Sequence, residues 1–249
     1  MNSAHWLAYF QQNRLGRTEP DWQLPVPAAL SPAHALADSL SHFQLGESGE
    51  GRFLLNEARR SYPDDADYCA ALDLFIKEEQ EHARLLEWLV RRFDGRLITG
   101  HWTHSLFRLL RRALGVTFEI QVLVIAELVG TGYYRILRRY STDPVLAHVC
   151  DLLLRDEARH IEFHRERFAA DQRAWLPLER AAWAAQFQAL FLGAATVAWV
   201  DHRRALRAVG SSRREFLAEA RGECIRLLDA LTFPTVSADV TMRASSSAS

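Results

Sequence analysis

Sulfur is scarce in this chain. Three cysteines, Cys69, Cys150 and Cys224, occur among 249 residues, and none stands in Cys-x-x-Cys spacing. That excludes a disulfide framework and a thiolate-ligated metal site, and fits small apolar residues in a reducing cytoplasm, the expected location. Glycine and proline are few, 12 and 8. Strand-like alternation bounded by turns is missing, which argues against a sheet-based fold. Neither sign of charge predominates, with 30 Lys and Arg against 31 Asp and Glu. Bulk attraction to nucleic acid is therefore not expected. The first thirty residues hold Trp6, Arg14, Arg17, Asp21 and three prolines without an unbroken apolar segment, so no secretory leader is expected. One run, Ala181 to Val200, is apolar apart from Gln186, Gln188 and Thr196 and approaches spanning length. It is solitary and carries two glutamines mid-segment, which favours a buried helix covering the core over a membrane span.

Apolar residues recur at helical spacing from about Pro32 to Leu231. The pattern predicts helices at about 33–60, 65–93, 103–113, 116–140, 143–170, 176–208 and 212–232. Breaks fall at Tyr62-Pro63-Asp64-Asp65, Asp94-Gly95, Ser141-Thr142-Asp143-Pro144 and Gly210-Ser211-Ser212. The expected organisation is an irregular N-terminal arm over 1–32, one helical domain over 33–232 and a flexible tail over 233–249.

Within that domain one pattern occurs twice. Glu50 is followed by Lys77-Glu78-Glu79-Gln80-Glu81-His82, and Glu127 by Arg155-Asp156-Glu157-Ala158-Arg159-His160. Glu and His three apart on a helix project from the same face. A single Glu-x-x-His on a charged helix is ordinarily a solvated face. Two copies, each with a lone glutamate about thirty residues upstream, make the inward-facing set that holds a carboxylate-bridged metal pair in a four-helix bundle.

Burial supports that reading. Glu79 and His82 interrupt the apolar stripe of Leu72, Phe75, Ile76, Ala83, Leu86, Leu89 and Val90. Glu157 and His160 interrupt Val149, Cys150, Leu153, Ile161 and Phe168 in the same way. A buried carboxylate without a partner costs several kcal/mol or is neutralised, and a divalent cation removes that cost. Hairpin geometry selects among the glutamates. A first turn centred near residue 64 or 65 mirrors the level of Glu79 and His82 onto positions 47 to 50, and a second near 143 mirrors the level of Glu157 and His160 onto 127. Glu119 would lie about 12 Å along the axis from Glu127 and is expected at the pocket edge at best. Glu50 is preferred because its interval to Glu79 matches that from Glu127 to Glu157. Glu47, one turn away, is the competitor.

The expected ligands are thus Glu50, Glu79, His82, Glu127, Glu157 and His160, with Glu47 and His164 as alternates. Four carboxylates and two imidazoles suit two iron ions, alternatively Mn/Fe or Mn/Mn. Glu78 and Asp156 each precede a ligand glutamate and are expected to accept the outer N–H of an imidazole on the opposite helix, Asp156 from His82 and Glu78 from His160.

These residues resemble the ferritin-like diiron-carboxylate superfamily over roughly residues 40–170. Asp156-Glu157-Ala158-Arg159-His160 fits its Asp-Glu-x-Arg-His signature. The resemblance implies an all-α, ferritin-like four-helix bundle with a crossover connection, here with additional C-terminal helices. It also implies a metal pair that reacts with O2 or peroxide. The superfamily includes rubrerythrins, ribonucleotide reductase small subunits, monooxygenase hydroxylases and arylamine N-oxygenases. Departures narrow the field. Leu86 stands where the reductase subunits carry a radical tyrosine, Leu153 where arylamine N-oxygenases carry a third histidine, and no rubredoxin-like four-cysteine centre exists.

Glycines cluster beside the lone glutamates, Gly46, Gly49 and Gly51, then Gly130 and Gly132. They leave either space for a substrate or room for close helix packing. Trp183, Phe187, Phe191 and Trp199 form a stripe that reads as core before it reads as tunnel wall, and Tyr134 shares a face with Glu127. The functional expectation is an O2-activating oxidoreductase or oxygenase for a small, apolar organic substrate, with O2 as co-substrate and an external electron donor. The alternative is a ferroxidase or peroxidase with no organic substrate. A homodimer is compatible with everything above.

Overall fold

The computed structural model describes residues 1–27, 33–102 and 115–231, and is all-helical among them. The helix expected at 103–113 and the tail expected at 233–249 lie outside the described residues. In chain order the helices are α1 (Ser3–Leu15), α2 (Ala33–Glu47), α3 (Arg52–Ser61), α4 (Ala66–Arg92), α5 (Val116–Tyr140), α6 (Pro144–Asp171), α7 (Pro177–Ala208) and α8 (Arg213–Leu231). A short 3-10 turn, Gln172–Ala174, follows α6.

The long helices start where the sequence offers a side-chain acceptor for their free N–H groups. Asp65 accepts from the Tyr68 amide at the head of α4, and Asp143 accepts from Val145 and Leu146 at the head of α6. Pro144 at the first position of α6 adds a preset φ. Asp143 is fully buried, and its second oxygen takes a 3.0 Å hydrogen bond from Arg92 Nε, tying the end of α4 to the start of α6.

Two antiparallel hairpins carry the core. In the first, α2 runs against α4, with Glu47 at the level of Glu79 and Ala37 at the level of Gly95. In the second, α5 runs against α6, with Arg138 Nε 2.6 Å from Asp151 Oδ1 at one end and Glu127 Oε1 3.5 Å from His164 Nε2 further along. The hairpins meet through α4 and α6, whose Glu-x-x-His faces look at one another. α8 lies on α5, where a Cβ on Gly132 would come within 2.9 Å of the Ala220 backbone and Arg135 pairs with Glu223.

Three expectations are corrected. The N-terminal segment is not irregular: residues 3–15 form α1, with Trp6 and Phe10 buried. Their four-residue spacing puts both rings on one face, edge-on to Phe163 at 5.5 and 5.3 Å. The helix expected over 33–60 is broken at 48–51. Three glycines in six residues weaken it there, and Gly51 adopts φ +61° with Ile76 packed so closely that any Cβ would meet its side chain at 2.5–2.8 Å. The run Ala181–Val200 is not a buried helix either. Trp183, Phe187, Phe191, Ala195 and Trp199 form one packed stripe, while Leu192 and Val200 on the other side are 59% and 46% exposed. By length and composition both α5 and α7 could cross a membrane, and they differ in burial. The most apolar 18-residue window is 83% buried in α5 and 22% buried in α7.

Candidate metal centre

Glu79, His82, Glu157 and His160 converge between α4 and α6, with one ligand-capable atom from each lying within 4.8 Å of the others. All four are buried. The imidazoles are oriented alike. His82 Nε2 lies 3.3 Å from Asp156 Oδ2, and His160 Nε2 lies 3.0 Å from Glu78 Oε2. Both Nδ1 atoms therefore turn inward, His82 Nδ1 to 3.5 Å from Glu157 and His160 Nδ1 to 2.9 Å from Glu79. Phe75 presents its edge to His160 at 4.8 Å between centroids and fixes the ring plane from the side.

The outer acids are themselves held. Arg17 donates to Asp156 at 2.6 Å, and Asn13 donates to Glu78 at 2.8 Å and to Asp156 at 3.2 Å. Sequence reasoning missed both residues, because it read their segment as an unstructured arm. The four-residue repeat of Trp6 and Phe10 was the available signal.

The inner atoms are less satisfied. Glu79 Oε1, Glu157 Oε2, His82 Nδ1 and His160 Nδ1 are buried without a well-formed hydrogen bond. The 2.9 Å approach of His160 to Glu79 lies off the direction of a ring N–H. Burying such atoms unpartnered costs about 1–3 kcal/mol each, and they all face one another. Two imidazole nitrogens and two carboxylate oxygens left without a well-formed hydrogen bond at one point fit a cation better than they fit each other.

Electrostatics carry the same message. Burial alone would lower His82, but contacts with Asp156 and Glu157 and the charge of Glu79 outweigh it and push the imidazole up to about 9. His160 is driven well above its ordinary value against the same burial, by Glu157, Glu78 and Glu79. Burial would raise Glu79, yet His160, Glu47 and the charge of His82 bring it well below the usual carboxylate range. Without a cation, protons on the imidazoles must balance the acids.

The lone glutamates divide. Glu50 is a corrected expectation: it sits in the break after α2, exposed, with Arg52 Nε 3.0 Å from its carboxylate. Glu47 reaches the cluster instead. As a residue it is half-buried at the end of α2, but its carboxyl shares a hydrogen bond with Glu79. Burial and the charges of Glu79, Glu157 and Glu127 raise it well above the carboxylate range. The break explains the difference, since a continuous helix would have carried Glu50 past the level of Glu79. Glu127 is buried on α5, opposite His164 at 3.5 Å, and His164 is held edge-on by Phe75. His164 thus meets a glutamate rather than the centre of the cluster. Glu119 is buried two turns earlier on α5. Tyr134 lies against Phe43, and burial with the charges of Glu47 and Glu157 holds its phenol well above the usual value.

A cavity of about 510 Å³ adjoins this cluster. Glu47, Glu79 and Glu127 reach its wall, which is otherwise mainly apolar, with Val122, Leu123 and Val129 from α5 and Leu190, Ala194 and Val197 from α7. The expected aromatic stripe Trp183, Phe187, Phe191 and Trp199 is core and does not line it. The glycines divide too. Gly46 and Gly49 border the cavity with nothing within 4 Å of a built Cβ, whereas Gly132 is filled by Ala220. Comparisons of the chain with family models, with curated proteins and with solved structures found no match.

Proposed function

We propose that the chain is a ferritin-like diiron-carboxylate oxidoreductase that activates O2 to oxidise a small apolar organic molecule. The observation that carries this reading is the contact between the cluster and the cavity: Glu47, Glu79 and Glu127 belong to the apolar pocket's wall and to the carboxylate group at once. In this reading Glu79, His82, Glu157 and His160 hold two iron ions, or Mn/Fe, with Glu47 and Glu127 completing the set. Four glutamates balance two divalent ions, so the buried centre is neutral. When bound, such a pair supplies redox chemistry toward O2, with electrons from an external donor.

The chain's own residues have definable work. Asp156 and Glu78 accept hydrogen bonds from the Nε2–H of His82 and His160, which fixes the tautomer and leaves each Nδ1 lone pair for a cation. Asn13 and Arg17 close the outer side and offset part of the charge of the two acids. The apolar wall formed by α5 and α7 excludes water and favours an apolar substrate body. Gly46 and Gly49 keep that volume open.

The test is O2 consumption by iron-loaded protein with a chemical reductant, measured across a panel of apolar compounds that fit about 510 Å³. Consumption that rises with particular compounds and yields oxygenated or dehydrogenated products supports the reading. Rapid Fe(II) oxidation that no compound alters would replace it with a ferroxidase.

A further inference from the structure

The cavity wall carries further polar side chains, His42, Asp201 and His202, outside the glutamate cluster, and His101 lies beside them. We propose that His42, His101 and Asp201 there bind one divalent first-row cation. His42 stands on α2, Asp201 on α7, and His101 in the connection that follows α4. One ligand-capable atom from each lies within 4.8 Å of the other two. The imidazole rings of His42 and His101 are 4.2 Å apart, and His101 Nδ1 is 3.9 Å from Asp201 Oδ2. His42 Nδ1 is buried without a hydrogen-bond partner, an independent sign that something the protein does not supply belongs there.

The neighbouring histidine is already engaged and is not a ligand. His202 Nδ1 is 2.8 Å from Ser39 Oγ, which is 2.6 Å from the Tyr133 hydroxyl, and Phe43 stacks on the His202 ring. That network holds Asp201, the preceding residue on α7, in register with His42. Two imidazoles and one carboxylate, with no thiolate nearby, suit Zn(II), Fe(II) or Co(II). Metal–nitrogen bonds of about 2.0–2.1 Å need ligand atoms roughly 3–3.4 Å apart, so side-chain rotations of about an ångström complete the site. Three protein ligands leave at least one position open. His42, Asp201 and His202 line the cavity, so that position faces its interior. An occupant with an oxygen or nitrogen donor at one end and an apolar body would then be held by that donor, with the body running toward the glutamates. His42 precedes Glu47 by five residues, about 7.5 Å along α2, so the two sites are separate in space.

Co(II) serves as the probe, with ions per chain counted after equilibrium dialysis of the full-length protein and folding checked by circular dichroism. Wild type is expected to take up three ions, and His42→Ala and Asp201→Asn two each. Glu157→Ala is expected to lose the pair and keep the single ion. Equal counts in wild type, His42→Ala and Asp201→Asn would overturn the proposal. A wild type that binds one ion, lost in Asp201→Asn, would uphold this site and sink the dinuclear reading instead.

Discussion

At the scale of single residues, the metal reading depends on which way each imidazole faces. His82 and His160 direct Nε2 to Asp156 and Glu78 and Nδ1 to the interior. The acid one position before Glu79 and the acid one position before Glu157 thus each reach across to the other helix's histidine. Asp156→Asn is expected to weaken metal binding about 10- to 100-fold, the usual effect of losing an outer partner, with the fold retained. Isothermal titration would show it, and an unchanged affinity would reduce Asp156 to a partner of Arg17. The two glutamates around the end of α2 give a sharper contrast. Glu47→Ala is expected to lower metal content, while Glu50→Ala should leave it untouched, because Glu50 pairs with Arg52 at the surface. Elemental analysis of the two variants decides between them. Both Glu-x-x-His units and their outer acids were legible in the sequence, because three-residue spacing on a helix and interruption of an apolar stripe are local properties. The choice between Glu47 and Glu50 was not, because it turns on where a helix ends.

At the scale of elements, that ending comes from Gly51. Its left-handed φ of +61° and its contact with Ile76 make it intolerant of any side chain. Gly51→Ala is expected to destabilise by about 1–3 kcal/mol, as left-handed backbone costs for other residues. Gly46→Ala, inside α2 with open space around it, should be neutral or stabilising by up to about 1 kcal/mol. Urea denaturation of both measures the difference, and equal effects would refute the account of the break. Among the described residues, helix positions from 65 onward were readable because caps such as Asp65 and Asp143 lie next to their helices in the chain. The α1 helix was not read, because three prolines and several charges nearby masked a short apolar face. What makes α1 helical is tertiary: Trp6 and Phe10 close on Phe163. Trp6→Ala is accordingly expected to cost about 3–5 kcal/mol, the range for a buried large aromatic. Because it loosens the helix that presents Asn13, metal affinity should fall with it.

At the scale of the whole molecule, the fold brings Glu47, Glu79 and Glu127 of the buried cluster and His42 and Asp201 of the histidine–aspartate group to the wall of one mainly apolar cavity. α7 supplies one wall of that cavity while leaving Leu192 and Val200 exposed on its far side. This two-sided role was not legible beforehand, because the run Ala181–Val200 is apolar on every side apart from Gln186, Gln188 and Thr196, and only packing distinguishes its faces. The all-helical architecture, by contrast, followed directly from apolar spacing and the scarcity of breakers. Two metal ions are expected between α4 and α6 on the Nδ1 side of both histidines. Anomalous diffraction from crystals of iron-loaded protein tests this placement most directly. Two peaks are expected about 3.5–4 Å apart, one beside His82 Nδ1 and one beside His160 Nδ1, with Glu79 and Glu157 touching them. A single peak at that place, none at all, or metal bound to Nε2 in place of Asp156 and Glu78 would contradict it.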